Sequence, residues 1–137
     1  MYEKFGQFIN GKWQKSSDKS TYEVINPANE EILGKASKAT PEDVDLALKS
    51  AQKGLEVWKQ TPPWQRSYII RKIADKMREK QDVLAKWMTL EVGKPFVEAK
   101  GEVGGAADIF EWNAEETKRI YGQTVESRFV DLSLIHI

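Results

Sequence analysis

The chain has 137 residues, 40% of them apolar, which is enough for one modest hydrophobic core. Its 21 basic and 21 acidic residues give a formal net charge of +0, so the composition carries no electrostatic footprint for nucleic acid. There is no cysteine, which excludes disulfides, thiolate metal sites and a cysteine nucleophile within these residues, and there is no membrane-length apolar run or signal peptide, so a cytoplasmic setting is the expectation.

Residues 5–14, FGQFINGKWQ, set Asn10-Gly11 between two short alternating runs. Asn-Gly tolerates positive φ and favours a two-residue turn, which predicts a small β-hairpin. After a polar connector, Tyr22 to Asn26 predicts a strand, 27–30 a turn and Glu31 to Ser37 the returning strand, so hairpins fill 5–37. Thr40-Pro41-Glu42-Asp43 then starts a helix: threonine caps, proline has no donor to lose at the first position, and the acids suit the positive end of the helix. This helix is predicted over 41–59, with Val44, Leu48, Ala51, Leu55 and Trp58 on one face.

Thr61-Pro62-Pro63 breaks the chain. A second helix is predicted over 64–92, with Ile69, Ile70, Ile73, Ala74 and Met77 continued by Val83, Leu84, Trp87, Met88 and Leu90, and with a bend or restart near Gln81-Asp82. Gly93 can end it and Pro95 can begin a third helix over 95–121. Val103, Ala106, Ala107, Phe110, Ala114, Thr117 and Tyr121 recur on one face of that helix, and Gly122 is expected to close it, with Lys118 and Arg119 in the last turn.

Several local features look functional and have simpler readings. Gly101-Glu102-Val103-Gly104-Gly105 is not G-x-G-x-x-G and follows no strand, so close helix packing is its expected role. Gly93-Lys94 lacks the upstream glycine and downstream Ser/Thr of a phosphate loop. Glu111, Glu115 and Glu116 with Lys118 and Arg119 read as a solvated, ion-paired face. Trp58, Trp64, Trp87 and Trp112 read as packing anchors. His136 is a lone histidine with no identifiable partner.

The stretch from Leu90, "E-x-GKP-x-x-E-A" followed by "EWNAEETKRIYG", resembles the amino-terminal part of the NAD(P)-dependent aldehyde dehydrogenase superfamily, and most of all its succinate-semialdehyde-dehydrogenase-like branch. The opening "INGxW" and "NPAxxExxxxxA" elements and the segment DVDLALKSAQKGLEVWKQTPPWQRSYIIRKIADKM are similar to the same family, so the resemblance runs from Phe8 to about Phe129. It implies an α/β parent with a doubly wound cofactor domain. Of this parent the chain supplies only amino-terminal β-hairpins plus three long helices, α+β in appearance. Residues 1–121 would be part of the cofactor-binding domain and 122–131 the start of an oligomerisation hairpin. The family continues with "PxGVV", which residues 132–137, LSLIHI, do not match, so they are expected to be a truncated or non-native tail.

The resemblance also implies a chemistry. In the family a cysteine thiolate attacks the aldehyde, an asparagine amide steadies the oxyanion, a glutamate is the general base, and nicotinamide takes the hydride. All of these positions fall beyond residue 137, so the expected catalytic and cofactor-binding residues within this chain are none. NAD or NADP is expected in the parent alone. The parent's partners would be an aldehyde substrate and copies of itself, as a dimer or tetramer, with no nucleic acid and no membrane. Some members hold a monovalent cation on a backbone carbonyl before the "NP" turn and an acid on the third helix, which here would be Ile25 and Glu102. The alternative, from a different class, is a small non-enzymatic helical interaction module that closes its own core.

Overall fold

A computed structural model describes residue 2 and residues 5–135. The first hairpin pairs β1 (Gln7–Ile9) with β2 (Lys12–Gln14), antiparallel, with Phe8 opposite Trp13. Asn10 and Gly11 have φ of 54° and 74°, the left-handed pair that a tight primed turn requires. At its foot Gly6 has no room for a side chain, because a Cβ there would lie 2.0 Å from the Gln14 carbonyl oxygen. Phe5 meets Trp13 edge to face and Phe8 meets it at a tilt, with ring centroids 5.0 and 5.1 Å away.

The second hairpin pairs β3 (Thr21–Ile25) with β4 (Ile32–Ser37), irregular between Val24 and Ile25. Asn26 organises its turn: the side-chain oxygen accepts from the Ala28 N–H at 3.0 Å, and the backbone carbonyl accepts from the Glu30 N–H at 2.8 Å. Two contacts seat this hairpin on the helices. The Tyr2 ring occupies the space beside Gly34 and meets Trp87 edge-on at 5.7 Å, and Pro27 packs against Gly93. Burial and a hydrogen bond to Glu91 push the Tyr2 hydroxyl up to about 12.

Helix α1 (Pro41–Gln60) has the predicted threonine cap, Thr40 Oγ1 accepting from the Asp43 N–H at 3.2 Å, and Asp43 completes a capping box by accepting from the Thr40 N–H on Oδ2 at 3.0 Å. Beyond that end α1 packs appreciably only on β1, so Val44, Leu48 and Leu55 remain exposed.

The expected helix 64–92 is two helices, α2 (Pro63–Glu79) and α3 (Gln81–Val92), separated at Lys80, whose ψ of 16° leaves the helical range. The break lets α3 turn onto the next helix. Gln81 Nε2 donates to the Lys100 carbonyl at 2.9 Å and Lys100 pairs with Asp82 at 2.6 Å. Gly93 caps α3 in the left-handed conformation, at φ 76°.

Helix α4 (Phe96–Glu116) ends before the expected boundary. Residues 117–119 tighten into a 3₁₀ turn, and Thr117 Oγ1 donates back to the Ala114 carbonyl at 2.7 Å. Gly122 does take a positive φ, 68°, but it turns the chain after the helix instead of closing it. Beyond it β5 (Thr124–Glu126) pairs antiparallel with β6 (Ser133–Ile135), and the two strands contact chiefly each other. Part of the expected tail, 133–135, is therefore a return strand, whereas His136 and Ile137 lie outside the described residues.

The core lies where α4 crosses α2 and α3, and it is made of small residues. Ala85, Ala99 and Val103 form a buried cluster covered by Met88, and Ala74, Ala107 and Ala114 are fully enclosed. Of the predicted apolar faces, Ile73 is 41% and Phe110 39% exposed. The glycine-rich stretch serves close packing only at Gly104, which faces Gln81; a Cβ on Gly101 or Gly105 would meet nothing within 4 Å.

Candidate functional site

Ile25 and Glu102, the two expected cation ligands, stand on different elements, β3 and α4. Ile25 ends β3, half exposed, opposite Ile32. Glu102 lies on the first half of α4 and accepts a hydrogen bond from the Lys94 ammonium. That bond holds Lys94 above the usual lysine range, so an ammonium already provides positive charge beside this carboxylate. Among the described residues, no three His, Cys, Asp or Glu side chains gather as a metal-binding group.

The most heavily bonded acid is Asp43, only 2% exposed. Besides the Thr40 N–H, it accepts from Gln7 Nε2 and Ser16 Oγ at 3.1 Å each and from the Ser17 N–H at 3.2 Å. The Thr40 backbone bond leads a set of donors that outweigh its desolvation, and Asp43 is held far below the usual carboxylate range. A carboxylate so satisfied is neither basic nor nucleophilic. Its work is positional, since it ties the first hairpin, the 16–20 turn and the start of α1 to one point. The sequence shows Asp43 only as an acid suited to the positive end of α1, and its partners at 7, 16 and 17 carry no periodic signal.

A second set of charges, unforeseen as a set, joins α2 to α4. Arg71 bridges Glu111, at 2.7 Å, and Glu115, while Arg78 reaches Asp108 at 2.8 Å and Glu111 at 2.6 Å. Lys118, then Arg71, hold Glu115 below its ordinary value. The expected solvated pairs are also present, as Lys118–Glu115 and Arg119–Glu116 one turn apart. Yet Glu111 and Glu115 serve to lock two helices together, and nothing in the spacing of α4 alone reveals that Arg71 and Arg78 lie opposite them.

These groups position structure. No thiol exists in the chain, the buried Asp43 is fully bonded, and Glu102, Asp108, Glu111, Glu115 and Glu116 on α4 are ion-paired. What the arrangement presents instead is uncovered apolar surface, including Trp64 at 75%, Val97 at 82% and Trp112 at 67% exposed. The accessible area totals 10942 Å². A compact monomer of this mass, 15.7 kDa, would expose about 7,300 Å² by the usual scaling.

The profile of the "Aldehyde dehydrogenase family" matches residues 13–136. The chain is 42% identical over 130 residues to a glutarate-semialdehyde dehydrogenase of Pseudomonas putida, a match covering 95% of the chain and 27% of that protein. It is 42% identical over 129 residues to a succinate-semialdehyde dehydrogenase [NADP(+)] of Escherichia coli, covering 94% and 27%. Among solved structures, it superimposes on a succinate-semialdehyde dehydrogenase from Burkholderia pseudomallei with a TM-score of 0.91 and 34% identity, over 96% of this chain and 27% of that one. A betaine aldehyde dehydrogenase from Staphylococcus aureus, in complex with NAD+, gives 0.88 and 31%, over 92% and 26%. The chain therefore spans about a quarter of the length of the relatives it matches.

Proposed function

The chain belongs to the aldehyde dehydrogenase family, and from that premise we propose that it supplies the leading hairpins and helices of a cytoplasmic enzyme that oxidises a small aldehyde to the carboxylic acid. Succinate or glutarate semialdehyde is the substrate class, and NAD or NADP accepts the hydride. The observation that carries this reading is the 42% identity, sustained over about 95% of the chain, to two semialdehyde dehydrogenases.

Within such an enzyme these residues bear no catalytic group. With no cysteine in the chain, the nucleophile of the family must be supplied by other residues. The role of the chain is to brace the cofactor domain: Asp43 fixes the hairpins to α1, the α2–α4 pair forms a rigid beam, and the apolar faces receive the rest of the fold. The excess of exposed surface, on the order of 3,600 Å² over a compact monomer, is well above one partner's share of a standard interface, about 800 Å², and speaks against a self-contained module. The β5–β6 hairpin, whose strands contact chiefly each other, is assigned to subunit contact in a dimer or tetramer. Ile25 and Glu102 are retained as a candidate monovalent-cation pair in the assembled enzyme. Its test is whether potassium raises the melting temperature of that enzyme and whether Glu102→Gln removes the effect; no potassium effect rejects it.

The experiment that tests the reading is a chimera. Residues 1–129 of this chain replace the corresponding part of the Escherichia coli relative, and succinate semialdehyde oxidation is followed with NADP+. The chimera is expected to turn over, and the 137-residue chain alone to give only the buffer blank with either cofactor. A folded but inactive chimera, or turnover by the chain alone, would overturn the proposal.

A further inference from the structure

The two amino-terminal hairpins enclose a cleft of about 560 Å³, lined among others by Phe5, Trp13, Lys15, Lys19, Thr21 and Lys35. This falls within the usual size of small-ligand sites, about 300–1,000 Å³. None of the ion pairs among the described residues involves Lys15, Lys19 or Lys35. Of the carboxylates nearest in sequence and register, Asp18 is engaged, whereas Glu23 stands directly across from Lys35. Asp18 accepts from Ser16 Oγ and the Ser20 N–H, both at 2.8 Å, and Glu23 pairs in register with Lys35 across β3–β4 without forming an ion pair.

The loop bearing two of these lysines is held in place. Lys19 sits at φ 62°, uncommon for a residue with a side chain, and its N–H closes a turn onto the Ser16 carbonyl at 2.9 Å. Ser16 and Ser17 are in turn bonded to the buried Asp43. A pre-positioned loop loses little freedom when a ligand arrives. The molecule as a whole is neutral, so three lysines lining one cleft are a local arrangement and not general basicity.

We infer that this cleft binds a small polyvalent anion of the phosphate class, held by Lys15, Lys19 and Lys35 beside the Thr21 hydroxyl. The site is independent of the aldehyde chemistry, and Phe5 and Trp13, which meet edge to face, form its aromatic wall. Lysine suits such a ligand because its ammonium acts as a point charge with three donors and demands no planar geometry.

The test is a titration of the full-length chimera carrying residues 1–129 with sodium tripolyphosphate at low, constant ionic strength, read by calorimetry and by NMR of isotope-labelled tryptophan and lysine. The expected result is one-to-one saturation, with shifts concentrated at Trp13, Lys15, Lys19 and Lys35. Lys19→Gln/Lys35→Gln should weaken binding at least about tenfold, the scale of losing charge-assisted bonds, while Lys19→Arg/Lys35→Arg retains it. Lys72→Gln/Lys76→Gln removes the same charge from α2 and should leave binding unchanged. Absence of saturation, shifts centred elsewhere, or equal weakening in the α2 variant would each overturn the site. An unaltered Trp13 indole signal in the unliganded Gln variant separates lost binding from a lost hairpin.

Discussion

At the scale of single residues, two positions carry more of the architecture than their size suggests. Gly93 combines a left-handed backbone, φ 76°, with Pro27 packed 3.1 Å from where a Cβ would stand. A side chain there meets both a backbone penalty of about 1–2 kcal/mol and a ring that cannot bend away. Gly93→Ala should therefore lower the melting temperature by a few degrees, read by far-UV circular dichroism; an unchanged midpoint would show that the α3–α4 corner relaxes freely. Asp43 is the second position. Its folded-state pKa is depressed by its donors, so its stabilising effect is present above the ordinary carboxylate pKa of about 4 and fades as pH falls below it. Asp43→Asn should be less stable than the parent at neutral pH, with the difference shrinking as the solution is acidified below about pH 4. A difference that stays constant from neutral to acid pH would mean that shape and not charge decides.

At the scale of elements, the seam of α4 against α2 and α3 is a close approach made possible by alanines. Ala74, Ala85, Ala99, Ala107 and Ala114 have no exposed surface, while larger apolar residues on the same helices flank the seam. Packing this tight tolerates addition poorly. Ala107→Leu is expected to cost about 1–3 kcal/mol, with loss of helical signal at lower temperature, because added methylenes must displace a neighbouring helix. A neutral Ala107→Leu would show that the seam is loose. The Arg71 and Arg78 bridges add alignment more than stability: these side chains are 39–40% exposed, and ion pairs at that exposure contribute only about 0–1 kcal/mol.

At the scale of the whole molecule, exposed apolar surface dominates. Val44, Leu48 and Leu55 on α1, Trp64 and Ile73 on α2, and Val97 and Trp112 on α4 stand in solvent, and each large side chain left uncovered forgoes about 1.5–3 kcal/mol. Domain stability is only about 5–15 kcal/mol in total, so a few such residues decide whether a chain is a well-packed monomer. The 137-residue chain on its own is expected to be helical, to bind a hydrophobic dye and to self-associate in concentration-dependent sedimentation. A monodisperse monomer with a sharp, reversible melt and no dye binding would contradict this and would favour a self-contained module.

Local physics made much of this legible in advance. Asn10-Gly11 specified its hairpin because only residues tolerant of positive φ fit that turn, and Thr40-Pro41 with Asp43 specified a helix start because capping is decided within four residues. Gly93 foretold the corner between α3 and α4 for the same reason, and the order of motifs along the chain was enough to reveal the family. The tertiary structure decided what depends on approach between distant segments. It placed at Lys80 the break already signalled near Gln81-Asp82, so that α3 turns onto α4, and it set the early end of α4 at Glu116. It chose alanines over large residues for the core, since periodicity marks a face but not how near the partner helix comes. And it joined Asp43 to residues 7, 16 and 17, and Arg71 to Glu111, contacts between positions 26 to 40 residues apart that no local spacing encodes.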